Sequence, residues 1–437
     1  MSSGSTRPAQ DLIDLAQDVR RRTLALVADL SDEQLSVPLM EIVNPLLWEL
    51  GHVAFFSDHF VLRELGWTSQ PMFEHAQQLF DSTGVEHDSR WGLSLPSRAG
   101  VLDYLERVQQ RIAEGLLSSE PSARATQVML LSVLHEDMHG EALTYTRQTL
   151  GYPAPPDCGT GAQLPRIEDD LRRAGDVHVP GGVMQLGSRA DAACFVFDNE
   201  QPIHEVSVAP FEIARTAVTE AQFEEFVQAR GYQREEFWCS AGWVWRESAG
   251  LECPSTWRRV GASWLRRRFD QESCLEEHAP ICHVNWFEAQ AYCRWAGRRL
   301  PSETEWELAA TGGAPREPAP LMAADATPGG RLDQVANLDG HLGRCADVGA
   351  FVASASPYGC LQMVGNVWEW TASAFGPYPG FVAGTPYRDY SEPWFGDRKV
   401  LRGGAWATAS RLASARYRNF FPPYRNDIFA GFRTCAP

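Results

Sequence analysis

The chain has 437 residues, of which 44% are hydrophobic and 22% are charged, a composition typical of a globular protein with two or three domains. Its formal net charge of −17 gives it no electrostatic reason to bind nucleic acid or an anionic membrane surface. No apolar run approaches the ~20 residues of a membrane span, and no apolar signal region follows the polar N-terminus, so we expect a cytoplasmic protein with neither membrane nor nucleic-acid partners.

The first 150 residues carry the periodicity of long helices. Apolar residues recur at helical spacing within residues 11–30, 98–117 and 124–150, and residues 45–65 begin with a proline in the first turn of a further predicted helix. Four long helices joined by loops predict a four-helix bundle. The loop of residues 66–96 is long for a compact domain, which is typical of a functional segment.

The composition changes after the helical region. Residues 151–175 begin with a stretch rich in proline and glycine, and we take them as a linker between a helical domain, residues 1–150, and a second domain, residues 176–437. The second domain contains short β-like runs with many glycines, prolines and tryptophans. Helices are predicted only for residues 219–229 and 286–296, so this domain is expected to be an irregular α+β fold.

Three histidines of the helical domain form a candidate metal site. His135 and His139 are four residues apart on the last predicted helix, so both imidazoles project from the same face. His52 lies on the second predicted helix and shares a face with Trp48. Because metal sites in bundles are built from facing helices, these three side chains can meet in the core. Three neutral nitrogens on one side of a metal leave the other side open for substrate and O2.

The same helix also permits a different interpretation. The segment from His135 to His139 matches the HExxH pattern, in which Glu136 would act as the general base of a zinc protease. The third histidine of one large group of such proteases does not follow, and a bundle is the wrong context for this chemistry. A histidine pair at this spacing also arises by chance on helix surfaces, so the motif needs support from the rest of the chain.

Three long blocks occur in a fixed order in the second domain: residues 281–310, 358–371 and 400–433. They resemble the formylglycine-generating-enzyme (sulfatase-modifying factor) domain, a C-type-lectin-like fold with little regular structure. The family's copper-binding cysteines follow the third block's RGGxW motif, whereas residues 406–410 contain no cysteine and Cys435 is the next one. Copper oxidase activity is therefore not expected. Four tryptophans are expected to anchor the core: Trp295, Trp306, Trp368 and Trp370.

The combination of both domains is similar to the ergothioneine-pathway sulfoxide synthases and their relatives, the selenoneine synthases. The resemblance covers nearly the whole chain. It implies an α + (α+β) fold class, with a DinB-like four-helix bundle followed by a formylglycine-generating-enzyme-like domain. It also implies Fe(II) bound by His52, His135 and His139. The expected reaction uses O2 to join sulfur or selenium to imidazole C2 of hercynine, the trimethylated betaine of histidine.

The resemblance assigns several residues to the acceptor, hercynine. Asn419 and Phe420 match an asparagine–aromatic pair that contacts the acceptor, with phenylalanine in place of the more frequent tryptophan. An aromatic face suits a trimethylammonium group. Met138 occupies the position before the last histidine, where the family often has a glutamine. Trp48, on the face of His52, is a further candidate substrate contact.

The family's proposed proton donor is a tyrosine. Tyr387 is the best match here, and Tyr378 and Tyr390 are near it in sequence and stay open as alternatives. A tyrosine hydroxyl close to the metal can supply a proton or hydrogen atom, which would favour coupling over simple oxidation of the donor.

The sulfur or selenium donor is less defined. Arg90 and Arg425 match positions that contact the donor's carboxylate. The γ-glutamylcysteine-using branch has an aspartate where this chain has Phe421, and an aromatic ring cannot neutralise the donor's ammonium group. We therefore expect γ-glutamylcysteine to be disfavoured, which leaves cysteine or a neutral seleno- or thiosugar, and we favour the selenosugar.

Two more distant functions are compatible with parts of the sequence. A DinB-type metal-dependent thiol transferase would use the bundle, but it has no need of the fused second domain. A non-catalytic binding protein would keep both folds, but the three histidines argue against it.

Overall fold

The computed structural model describes residues 6–159, 167, 175–189, 195–313 and 335–437. The chain forms two compact units. The helical unit comprises Met1–Thr146, Ala190–Val196 and Ala383–Tyr390. The C-terminal unit comprises Arg147–Arg189, Phe197–Val382 and Ser391–Pro437. Within the described parts of the chain, no helix combines the length and the apolar character that a bilayer crossing requires.

The helical unit is built from four long and two short helices among its described residues. In chain order they are α1 (Ala9–Ala25), α2 (Asp32–Ser36), α3 (Leu46–Ser57), α4 (Ala76–Phe80), α5 (Arg98–Leu117) and α6 (Ala123–Leu150). The bundle that the periodicity predicted is thus confirmed. The α5 helix packs against both α1 and α3. It buries Val101, Tyr104 and Val108 at helical spacing, and each such side chain contributes about 1.5–3 kcal/mol when it leaves water.

Two helix ends differ from the prediction, and side chains from distant parts of the sequence explain both. The α1 helix ends at Ala25 instead of residue 30, because the Arg98 guanidinium donates to the carbonyl oxygens of Val27 and Leu30. The α3 helix ends at Ser57, and a π-helix, Asp58–Arg63, continues it. The buried Asp58 carboxylate there accepts hydrogen bonds from the backbone N–H of Met72 and the hydroxyl of Tyr104.

The C-terminal unit contains short strands in four small sheets and four helices among its described residues. The strands are β1 (Asp176–Val179), β2 (Gly182–Leu186), β3 (His204–Val208), β4 (Phe211–Ala214), β5 (Trp257–Val260), β6 (Ser263–Arg268), β7 (Gln271–Cys274), β8 (Trp368–Ala374), β9 (Lys399–Arg402), β10 (Asn419–Phe421) and β11 (Ala430–Gly431). The helices are α7 (Glu220–Gln228), α8 (Ser240–Ala249), α9 (Trp286–Trp295) and α10 (Glu303–Thr311). The largest sheet has the order β10-β9-β8-β11, and the irregular α+β fold is confirmed.

The core of the C-terminal unit is held by buried tryptophans and paired charges. Trp306, Trp368 and Trp370 are fully buried, whereas Trp295 is only half-buried. The indole N–H of Trp306 donates to the Glu369 carboxylate, which also forms two hydrogen bonds with Arg433. Three of the four expected anchors are therefore core residues, and the indole N–H groups of Trp306 and Trp370 donate to buried oxygens.

The helices predicted at residues 219–229 and 286–296 correspond to α7 and α9. The α8 and α10 helices were not predicted, although Ser302 and Glu305 form a capping box at the start of α10. The domain boundaries at residues 150 and 175 stay predictions. Most of the predicted linker, residues 160–166 and 168–174, lies outside the described residues.

Candidate metal centre

The three predicted histidines lie together in the helical unit. His52 is on α3, and His135 and His139 are one turn apart on α6. The ring centre of His52 is 5.2 Å from that of His135 and 4.8 Å from that of His139. The Nε2 atoms of His135 and His139 are 3.2 Å apart, and one nitrogen from each ring lies within 4.8 Å of the others. A single ion can therefore be reached by all three rings.

The outer nitrogens of two rings are held by the protein. The Nδ1 atom of His52 is 2.8 Å from the carbonyl oxygen of Phe80, and the Nδ1 atom of His139 is 2.7 Å from a carboxylate oxygen of Glu49. Each Nδ1–H donates to its oxygen, which leaves the Nε2 lone pair free for a metal. These two hydrogen bonds fix the tautomers and the orientations of the His52 and His139 rings, as the outer hydrogen bonds of metal-binding histidines do in known metal sites. Glu49 is 1% exposed, and sequence analysis missed it.

Burial keeps two of these imidazoles neutral. Loss of hydration, together with the neighbouring histidines, lowers the pKa of His52 to about 3 and holds the pKa of His135 well below its usual range. Neutral imidazole is the form that binds metal. The donor set, the tautomers and the protonation states therefore all fit a divalent transition metal.

A glycine allows the close approach behind His52. A Cβ atom on Gly51 would lie 2.1 Å from a ring carbon of Phe80, closer than any real contact. Phe80 can therefore sit against α3, and its carbonyl reaches His52. The position of the His52 ring thus depends on a small residue next to it in sequence.

Trp48 and Arg90 form a stack with His52. The rings of Trp48 and His52 are parallel within 7°, with centres 5.1 Å apart, and the Arg90 guanidinium lies 4.0 Å from the centre of Trp48. Arg90 is buried, and it donates to the side-chain oxygen of Asn44 at 2.6 Å and to the carbonyl of Val85 at 3.2 Å. The structure thus brings both predicted residues to the histidine cluster. A role for Arg90 in binding a donor carboxylate stays a prediction.

A cavity of about 200 Å³ adjoins His52 in the helical unit. One part of its wall is aromatic, and the other part carries carboxylate, hydroxyl and amide groups. The lining residues besides His52 are Phe55, Phe56, His59, Phe60, Gln77, Asp81, Ser82, Thr83, Tyr387 and Asp389. Of these, only Tyr387 was predicted as a site residue. The residues that follow His52 on its own helix could have been identified by their helical spacing.

Tyr387 is the tyrosine that lines this cavity. Its ring stands edge-on to Phe56 at 5.1 Å and to His135 at 6.2 Å between centres, and Phe56 itself stacks on His135 at 3.6 Å. Tyr390 also belongs to the helical unit, and its hydroxyl lies 3.7 Å from the sulfur of Met138. The structure therefore gathers Tyr387, Tyr390 and Met138 around the histidines.

The remaining predicted residues belong to the C-terminal unit. Tyr378 is buried there, and its hydroxyl donates to Glu303 at 3.3 Å. Asn419, Phe420 and Phe421 form β10, where Phe420 stacks on Phe375 with ring centres 4.0 Å apart.

Arg425 has an acidic partner two residues away. Its guanidinium makes two hydrogen bonds to Asp427, at 2.6 and 2.7 Å, and lies 5.0 Å from the centre of the Phe421 ring. Its charge is therefore already balanced within the unit. Recognition of a donor carboxylate by Arg425 stays a prediction.

Glu136 is not placed as a general base. Both of its carboxylate oxygens accept hydrogen bonds from the buried Arg20, at 2.7 and 3.1 Å. Glu136 therefore serves as a buried structural ion pair, and the zinc-protease interpretation of the HExxH segment loses its essential residue.

The fold and the site together define a class of protein: a DinB-like helical bundle with a candidate three-histidine metal centre, fused to a sulfatase-modifying-factor domain. Residues 15–143 match the DinB superfamily, and residues 163–436 match the sulfatase-modifying factor enzyme 1-like domain. The chain is 36% identical to hercynine oxygenase of Mycolicibacterium smegmatis, over 97% of this chain and 98% of that protein. It is 38% identical to hercynine oxygenase of Mycobacterium tuberculosis, over 98% and 99%. The chain belongs to the hercynine oxygenase family.

The second domain alone has further relatives. It is 37% identical to the formylglycine-generating enzyme of Streptomyces coelicolor, in an alignment that covers 56% of this chain and 82% of that protein. The bundle is thus the part that separates this chain from the formylglycine-generating enzymes.

Proposed function

We propose that this chain is an O2-dependent non-haem iron enzyme that joins selenium or sulfur to imidazole C2 of hercynine. The observation that carries the proposal is the cluster of His52, His135 and His139, with two rings held by Phe80 and Glu49, in a member of the hercynine oxygenase family. The names of the relatives support hercynine as the acceptor.

The proposed overall reaction balances with O2 as the only oxidant. Hercynine loses the hydrogen on C2 and the donor loses the hydrogen on sulfur or selenium. One oxygen atom remains on the sulfur or selenium of the product, and the other leaves as water. Formation of the new bond and oxidation of the sulfur or selenium together supply the four electrons that O2 accepts.

The histidine cluster supports iron as the metal. Three imidazole nitrogens are suited to Fe(II) and leave several coordination positions open. When bound, Fe(II) would supply the redox chemistry that O2 needs and a position for the thiolate or selenolate of the donor. His52, His135 and His139 would hold it, while Glu49 and the Phe80 carbonyl keep two of these rings in place.

Tyr387 is our proposed proton donor. It lines the same cavity as His52, which supports a role beside substrates bound there. The hydroxyls of the two alternatives have other partners, Glu303 for Tyr378 and the Met138 sulfur for Tyr390. Neither Tyr378 nor Tyr390 is among the described residues that line this cavity, which supports the choice of Tyr387.

The acceptor contacts rest on the family resemblance. Asn419 and Phe420 are proposed to bind hercynine, with the aromatic ring of Phe420 facing the trimethylammonium group. Trp48 and Met138 are proposed as further contacts from the bundle, since each adjoins a histidine of the cluster.

The cavity wall supports a neutral donor. Asp81 and Asp389 give the wall negative charge, and no lysine or arginine occurs among the described residues that line it. A donor with carboxylates, such as γ-glutamylcysteine, would be repelled there. The hydroxyls of Ser82 and Thr83 and the amide of Gln77 are instead suited to sugar hydroxyl groups. Together with Phe421 in place of an aspartate, these groups favour a neutral seleno- or thiosugar, of which we propose the selenosugar.

A donor competition tests the proposal. Hercynine, Fe(II) and O2 are mixed with equal concentrations of selenoglucose, thioglucose, cysteine and γ-glutamylcysteine, and the products are read by mass spectrometry. We expect the selenoglucose adduct to dominate. Phe421→Asp, which restores the acid, should increase the share of the γ-glutamylcysteine product. A wild-type preference for γ-glutamylcysteine would contradict the donor assignment, and the absence of any hercynine product would contradict the function.

A further inference from the structure

The segment of residues 383–390, which carries Tyr387, is anchored before this tyrosine by an arginine. The Arg124 guanidinium donates to the carbonyl oxygen of Thr385 at 2.9 Å. The same guanidinium pairs with Glu64 at 2.5 Å, so its direction is set from both sides. All of these residues belong to the helical unit.

A second anchor follows the segment. Ser391 comes directly after Tyr390 and is fully buried. Its hydroxyl donates to a carboxylate oxygen of Asp198 at 2.5 Å and accepts from the side-chain amide of Asn199 at 3.1 Å. A serine hydroxyl with both a donor and an acceptor partner has a fixed direction. A hydrogen bond to a buried carboxylate is also among the stronger ones in proteins.

The partners of Ser391 are themselves fixed. Arg418 donates to the backbone carbonyl of Asn199 at 2.6 Å and pairs with Glu303 at 2.6 Å. Arg418 is 1% exposed and directly precedes Asn419, the proposed acceptor contact. One buried network in the C-terminal unit therefore contains both Ser391, which follows Tyr390 in the chain, and Arg418, which precedes Asn419.

We propose that Ser391 is a positioning residue for Tyr387, and that Asp198 and Asn199 act on Tyr387 through it. The proposal rests on the proposed function. The segment needs anchors because Arg388 and Asp389 are exposed and contribute little buried surface. A catalytic hydroxyl displaced by about 1 Å can cost roughly 100-fold in rate. Loss of one anchor should thus lower the fraction of O2 consumption that ends in coupled product.

Ser391→Ala tests this inference, with Thr371→Val as the matched control. Both changes remove a buried hydroxyl from the C-terminal unit, but the Thr371 hydroxyl donates to the Val400 carbonyl between β8 and β9. Arg124→Gln loosens the other anchor and should reproduce the effect of Ser391→Ala. Two readouts are needed: tryptic cleavage after Arg388 in the metal-free protein, and coupled product formed per O2 consumed.

We expect cleavage after Arg388 to rise roughly ten-fold in Ser391→Ala and Arg124→Gln, the size of effect that loss of one hydrogen bond to a charged group gives. Coupled product per O2 should fall several-fold with iron binding unchanged, and Thr371→Val should behave as wild type. Wild-type cleavage and coupling in Ser391→Ala would overturn the inference. A wild-type enzyme that makes no hercynine product would instead overturn the proposed function, and the role of Ser391 in it.

Discussion

The hydrogen bond from His139 to Glu49 makes the strongest prediction about the metal centre. Glu49→Gln keeps an oxygen that can accept the Nδ1–H of His139, 2.7 Å away, but removes the negative charge. The charge matters because Glu49 is 1% exposed, so water does not screen it. Loss of such a partner lowers metal affinity by roughly 10–100-fold, or about 1.4–2.7 kcal/mol.

The assay is an anaerobic Fe(II) titration in competition with a coloured chelator, repeated with Co(II), whose absorption reports the ligand geometry. We expect the Kd of Glu49→Gln to exceed that of wild type by at least ten-fold. The coordination geometry should be retained, because all three histidines are still present.

Glu136→Gln is the matched control. Glu136 is also a buried glutamate and is next to His135 in sequence, but its carboxylate pairs with Arg20. This variant should unfold at a lower temperature, since it leaves the buried Arg20 without a charged partner, yet it should bind metal as wild type does. Equal metal affinity in Glu49→Gln and wild type, or an equal loss in both variants, would refute the argument.

Three further predictions concern other sites. His52→Ala should abolish turnover and reduce bound iron in elemental analysis, while circular dichroism shows an intact fold; stoichiometric iron in this variant would rule out the cluster. Tyr387→Phe should keep iron but divert O2 consumption to oxidation of the donor, as measured by product analysis. Unchanged coupling would show that Tyr387 is not the proton donor and would leave Tyr390 and Tyr378 as candidates. Burial raises the pKa of Glu200 from its ordinary 4.5 to about 7. The unfolded chain releases this proton near pH 4.5 and the folded protein only near pH 7, so the folded state loses about 3 kcal/mol of stability as pH rises from about 4.5 to 7. Glu200→Gln should remove this loss, and thermal melts of both proteins between pH 5 and pH 8 should therefore diverge as pH rises; parallel curves would show that Glu200 is ionised in the folded state.

The histidine cluster could be predicted because its determinants are local. His135 and His139 share a helix face by spacing alone, and His52 lies among apolar residues that must face the core. Glu49 was missed, although its spacing made it a visible candidate. It is three residues before His52 and thus one turn away on the same helix. A carboxylate one turn from a candidate ligand can thus hold a second ligand of the same cluster, as Glu49 holds His139 from the facing helix.

The contacts of the two predicted arginines were harder to predict from the sequence than the histidine cluster. Asp427, two residues after Arg425, was a visible candidate for an ion pair. By contrast, Arg90 bonds to Asn44, 46 residues away, and lies over Trp48 through tertiary packing alone. The early end of α1 has the same cause, because Arg98 is about 70 residues from the carbonyls that it satisfies.

The assignment of residues 383–390 to the helical unit has a consequence for the evolution of the family. The three histidines precede the second domain in the sequence, whereas Tyr387 lies within the residues of that domain. A gene split after the bundle would yield a protein with the metal ligands and without the proposed proton donor. With Tyr387 in its proposed role, recombination that exchanged one domain without the other would separate the metal ligands from the proton donor, so selection would act on the fused gene as one heritable unit.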